Sequence, residues 1–121
     1  MPKIMVVDDE ESLRELVYAI FSAEGFEVLT ASSGQDCLEK LKSEKPELIL
    51  MDMMMPGMSG RETAETIRQN PKTKGLNVVF LTVARFSETG KESLQGLNVL
   101  DYITKPFDND DLVKRVKKLI S

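Results

Sequence analysis

Short apolar runs recur along this chain, and each is followed by a segment of a different periodicity. Ile4 to Val7, Phe26 to Thr30, Leu48 to Met51, Val78 to Leu81 and Tyr102 to Thr104 are brief and rich in β-branched or large apolar residues. Between them, apolar residues return every three or four positions, as at Leu13, Leu16, Val17, Ile20 and Phe21, with Gly25 as a stop. Ser33-Gly-Gln-Asp36 is a capping-box pattern that opens a second helix through Leu38 and Leu41, which ends before Pro46. Ser59-Gly-Arg-Glu62 opens a third helix through Ile67, closed by Asn70-Pro71. A fourth helix is expected between Ser87 and Leu97, weakened by Gly90 and Gly96. Asp108 caps a last helix carrying Leu112, Val113, Val116, Leu119 and Ile120 on one side, with basic residues near its end to suit the helix dipole.

Strands that are apolar without polar alternation are buried on both faces, which demands a parallel sheet with helices on each side. The expected fold class is therefore α/β: a doubly wound, five-stranded parallel sheet with five helices in three layers. At 121 residues the chain is one domain with enough core to need no staple. It stops where its last helix stops, so no output domain is expected within residues 1–121.

Composition removes several classes of function. With 16 basic against 20 acidic residues the net charge is −4, so direct nucleic-acid binding is not expected. No histidine is present, which excludes histidine-based catalysis, histidine zinc ligation and a histidine phosphodonor within this chain. The single cysteine, Cys37, allows no intrachain disulfide and fits a reducing cytoplasm; its place among apolar positions marks it as an inert buried thiol. No apolar run reaches membrane-spanning length, and Met1-Pro2-Lys3 leads into too short an apolar stretch for a signal peptide. A cytoplasmic monomer is the default expectation.

The polar residues that close the apolar runs are the informative ones. Asp8 and Asp9 follow the first strand, Asp52 the third, Thr82 the fourth and Lys105 the fifth. In a parallel sheet these positions share the carboxyl edge, where open α/β sheets bind ligands at the reversal of strand order. Each residue alone has an ordinary explanation: Asp8 and Asp9 as helix caps, Asp52 as a turn residue before Pro56-Gly57, Lys105 as a solvated charge. Their convergence does not. Three packed carboxylates require a shared proton or a cation, and oxygen-only ligands suit a hard divalent ion, best Mg²⁺. A carboxylate there can attack a phosphoryl group, with Lys105 and the Thr82 hydroxyl placed for its other oxygens.

The stretches Ile-Met-Val-Val-Asp-Asp-Glu (4–10), Leu-Ile-Leu-Met-Asp-Met-Met-Met-Pro-Gly-Met-Ser-Gly (48–60), Val-Val-Phe-Leu-Thr (78–82) and Asp-Tyr-Ile-Thr-Lys-Pro-Phe (101–107) resemble the receiver domains of two-component response regulators. The resemblance covers the whole chain. It implies the flavodoxin-like strand order 2-1-3-4-5. It also implies that Asp52 accepts a phosphoryl group from a histidine on a partner kinase or phosphotransfer protein. By the same resemblance Asp9 and Asp52 ligate Mg²⁺, Asp8 holds water in that shell, and the Met54 carbonyl completes it. Thr82 and Lys105 bind the phosphoryl oxygens, and Pro106 is a cis-proline candidate. Tyr102 occupies an aromatic switch position. Its inward turn, following Thr82, would remodel the surface of the 87–97 helix, the fifth strand and the last helix for a downstream protein target that the sequence does not name.

Met54 and Ala84, two residues beyond Asp52 and Thr82, stand where the family tunes acyl-phosphate hydrolysis, and neither side chain can orient water. Slow self-dephosphorylation is expected. The stretch 95–100 departs from the family's Gly-Ala-rich approach to the fifth strand. Of the methionines at 51, 53, 54, 55 and 58, Met51 is expected in the core and the rest as loop filler. Three other readings compete. A haloacid-dehalogenase-type phosphatase needs an acid at the place of Met54, and an FMN-binding flavodoxin needs a polar, uncharged phosphate loop where Asp8-Asp9-Glu10-Glu11 stands. A pseudo-receiver, a binding module that never becomes phosphorylated, is opposed by the presence of all five site residues.

Overall fold

The computed structural model describes residues 2–82 and 99–120. Among these, β1 (Lys3–Val7), β2 (Glu27–Ala31), β3 (Leu48–Asp52), β4 (Val78–Thr82) and β5 (Val99–Thr104) form one parallel sheet in the order β2-β1-β3-β4-β5. Helices α1 (Glu11–Ala23), α2 (Gly34–Lys40), α3 (Gly60–Gln69) and α4 (Asn109–Ile120) connect or follow them. The helix expected between Ser87 and Leu97 lies outside the described residues.

Burial explains the sheet. Every residue of the central β3 is buried, and β1 is buried from Ile4 onward, whereas the edge strands β2 and β5 are mixed. Side chains alternate across the sheet and feed two cores. Met5, Val7, Ile49, Met51, Val78 and Phe80 face α2 and α3; Ile4, Val6, Leu48, Leu50, Val79, Leu81 and Ile103 face α1 and α4. On the second face Phe21 and Phe26 meet edge to face at 5.2 Å between centroids. Burying such a side chain contributes about 2 kcal/mol.

The local signals resolve unevenly. Ser59 and Glu62 form a complete capping box. At α2 only half of one forms: Ser33 Oγ accepts from the Asp36 amide, while the shorter Asp36 carboxylate accepts from Ser32 rather than from Ser33. Asp108 opens α4, its Oδ1 accepting from the Asp110 amide. The second strand runs one residue later than its apolar pattern indicates. The fifth begins at Val99, three residues before the predicted Tyr102, with a register shift opposite Val78 and Val79. Met55 belongs to the core beside Met51, so the filler assignment fails for it; Met54 is the exposed member of the run.

Candidate functional site: an acid edge at the strand reversal

The strand order reverses between β1 and β3, and their register sets the site. Val7 pairs with Met51, so the next residues, Asp8 and Asp52, lie side by side where both strands end. One carboxylate oxygen each from Asp8, Asp9 and Asp52 lies within 4.8 Å of the others. Asp8 and Asp52 are buried, and Asp9 is exposed. Sequence reasoning allowed Asp8 and Asp9 to be helix caps. The N-cap of α1 is instead Glu10, whose side chain makes no cap bond, and Asp8 Oδ1 accepts from the Glu10 amide at 2.8 Å.

Lys105 follows β5 and reaches across the edge. Its ammonium donates to Asp8 Oδ2 at 2.8 Å and lies 3.8 Å from Asp52 Oδ1. The bond that follows it, Lys105–Pro106, is cis. Asp52 Oδ1 also accepts from the Met54 amide at 3.2 Å. Burial, then the negative charges of Asp8 and Asp9, push the Asp52 carboxyl above its ordinary value, while the Met54 amide and Lys105 pull against that shift. One ammonium thus offsets only part of the charge of the three acids, and their all-oxygen donor set fits a hard divalent cation.

The loop after Asp52 turns through Gly57 at φ 74° and folds back on the strand. The Gly60 amide, at the start of α3, donates to the Met53 carbonyl at 3.0 Å. A Cβ at Gly60 would stand 2.3 Å from the Asp52 carbonyl oxygen and 2.8 Å from Met53 Cα, both backbone, so only glycine permits this closure. Gly34 performs the same service between helices: a Cβ there would strike Thr63 Oγ1.

Thr82 is the last residue of β4, in register with Thr104. Tyr102 is half-buried on β5, its ring stacked on Phe80 at 6.2 Å, and burial pushes its phenol pKa up. Ala84 lies outside the described residues. Cys37 is buried in the α2–α3 core, and desolvation pushes its thiol up to about 12. Arg14 was not singled out by sequence reasoning. It stands in the first turns of α1, and its Nη1 donates to the Asp8 carbonyl at 2.7 Å. A basic residue so near a helix start, where acids are favoured, was the available signal.

An acid-lined carboxyl edge on a 2-1-3-4-5 parallel sheet is the architecture of a signalling receiver, and sequence agrees. The family model of the response regulator receiver domain matches residues 4–117, and the chain belongs to that family. It is 41% identical to the phosphate regulon transcriptional regulatory protein PhoB of Rhizobium meliloti over 99% of this chain and 52% of that one. It is 37% identical to the alkaline phosphatase synthesis transcriptional regulatory protein PhoP of Bacillus subtilis over 98% and 48%. The chain therefore spans about half the length of these curated relatives. Among solved structures it is similar to a CheY-like receiver domain protein of Methanospirillum hungatei, with TM-score 0.87, 38% identity and coverage of 98% and 94%. It is also similar to TrrA of Thermotoga maritima in complex with Mg²⁺ and beryllofluoride, with TM-score 0.83, 37% identity and coverage of 98% and 99%. Among the described residues no helix is long and apolar enough to cross a membrane.

Proposed function

We propose that this receiver takes a phosphoryl group on Asp52 from a phosphohistidine of a partner kinase or phosphotransfer protein. The observation that carries the proposal is the meeting of three carboxylates and one ammonium at the strand reversal. An Asp52 carboxylate oxygen bonds to phosphorus as the P–N bond breaks, and the bonding pair returns to the partner's imidazole. Asp9, Asp52 and the Met54 carbonyl would hold Mg²⁺, with Asp8 holding water in the same shell. Bound there, Mg²⁺ neutralises charge on the entering phosphoryl group. Lys105 pairs with one phosphoryl oxygen and the Thr82 hydroxyl donates to another. The complex of TrrA with Mg²⁺ and beryllofluoride supports this reading for a similar chain.

The output is a surface. Movement of Thr82 and Tyr102 remodels the surface around β5 and α4 for a downstream protein, a two-state equilibrium biased by one new charge. Transcription belongs to the names of the longer relatives. For residues 1–121 the proposal is a cytoplasmic, monomeric receiver that binds no nucleic acid directly. It catalyses its own phosphorylation and slow dephosphorylation and turns over no separate substrate. Met54, 72% exposed, offers a thioether where an acid or amide would orient water.

Intact mass after incubation with acetyl phosphate tests the proposal. A Mg²⁺-dependent phosphoryl adduct that is absent in Asp52→Asn is expected, with a lifetime of minutes or longer after the donor is removed. No adduct under any condition would make the chain a module that binds partners unmodified, and decay within seconds would remove the role given to Met54 and Ala84.

A further inference from the structure

Asp8 is held at four points. Its amide donates to the Ala31 carbonyl at 3.1 Å, its Oδ1 accepts from the Glu10 amide and its Oδ2 from Lys105. The fourth point is its own carbonyl, which accepts from Arg14 Nη1 at 2.7 Å. The first three partners belong to the sheet, the acid loop and the site itself. Arg14 alone comes from the body of a helix, and it ties the end of β1 to α1.

The placement of Arg14 runs against local preference. The positive end of the helix dipole lies at the N-terminus, where a cation is disfavoured. Helical side chains lean back toward the N-terminus, which lets the guanidinium reach a carbonyl six residues earlier. A charge-assisted hydrogen bond to a carbonyl at the end of a buried strand offsets that cost. The Asp36 carboxylate on α2 also interacts with Arg14.

We infer that Arg14 is a positioning residue: by holding the Asp8 carbonyl it fixes the segment carrying Asp8 and Asp9 in the arrangement that receives the divalent cation. The inference rests on the reading of the acid edge as a Mg²⁺ site. A purely electrostatic role has the opposite sign. If Arg14 acted only as a nearby positive charge, removing it would tighten cation binding. If it positions the acids, removing it loosens them and weakens binding.

Calorimetric titration of the full chain with Mg²⁺ separates the two for wild type, Arg14→Gln and Arg14→Lys, with thermal melts to confirm folding. Loss of a partner that orients metal ligands typically costs about 10–100-fold in affinity, and Arg14→Gln is expected to lose about tenfold. Lysine keeps the charge and one donor, so Arg14→Lys should fall between the two. At saturating Mg²⁺ the rate of adduct formation in Arg14→Gln should return to within about twofold of wild type, because the loss is one of binding. Mg²⁺ binding in a folded Arg14→Gln as tight as wild type, or tighter, overturns the inference. The amide resonance of Glu10, whose N–H donates to Asp8, gives an independent readout. It should move in Arg14→Gln and move less in Arg14→Lys, and a resonance unmoved in both also overturns the inference. If the wild-type chain takes up no Mg²⁺, the reading of the site fails, and the Glu10 resonance still decides whether Arg14 holds the loop.

Discussion

At each end of the sheet one lysine bridges two carboxylates. At the amino end Lys3 lies 2.8 Å from Glu44 and 3.4 Å from Glu27; at the carboxyl end Lys105 lies 2.8 Å from Asp8 and 3.8 Å from Asp52. The geometry is similar and the surroundings are not. The side chains of Lys3, Glu44 and Glu27 are 30%, 34% and 56% exposed, whereas those of Lys105, Asp8 and Asp52 are 12%, 0% and 8%. Water and salt screen the first trio, so its net effect on stability is small. The second cannot lose its lysine without leaving the Asp8 charge in a poorly hydrated place. Contact distance alone would rank the two alike; burial separates a screened surface trio from a poorly hydrated charge cluster.

Lys105→Met should show the largest effect. It strands the buried Asp8, and breaking a buried pair costs about 3 kcal/mol, a fall in melting temperature on the order of 10 °C for a domain of this size. Saturating Mg²⁺ should restore part of that loss by returning a cation to the acids. A fall no greater than that of Lys3→Met would erase the contrast between the two trios.

Asp52→Asn should act in the opposite direction. The Asp52 carboxyl is held above its ordinary 3.8 by burial and by its acidic neighbours, so its ionisation opposes folding. That penalty is absent below the ordinary value and fully developed once pH has risen through the elevated one. Without Mg²⁺ the variant should therefore be more stable than wild type at neutral pH. The difference should close as pH falls toward the ordinary value. Thermal melts across pH 3–7 check this, and a gap that widens in acid would contradict it. Lys3→Met should have the smallest effect, with a melting temperature close to wild type at low salt and indistinguishable from it at high salt.

Much of this was legible in residue order. The all-apolar strand at 48–51 announced a strand covered on both faces, and β3 is buried throughout. The acids at the ends of β1 and β3 follow from parallel register, which places Asp8 beside Asp52. What sequence did not disclose depends on contacts between distant segments. The Lys105–Asp8 pair joins residues 97 positions apart. Met55 has the composition of loop filler and becomes core because the loop folds back over Met53. The Ser33 pattern resembled a capping box, yet an aspartate is one methylene shorter than the glutamate that completes the box at Ser59.

The chain has no tryptophan and two tyrosines, Tyr18 and Tyr102. Tyr18 stands half exposed on α1, and Tyr102 lies stacked on Phe80, the residue paired with it across β4 and β5. The near-ultraviolet signal of the protein thus comes chiefly from two phenols in unlike environments. Tyr18→Phe leaves Tyr102 as the only tyrosine chromophore, an optical reporter already built into the sheet. Rotation of that ring off Phe80 would alter its circular dichroism and emission, so the proposed movement of Tyr102 can be followed in solution without attaching a dye.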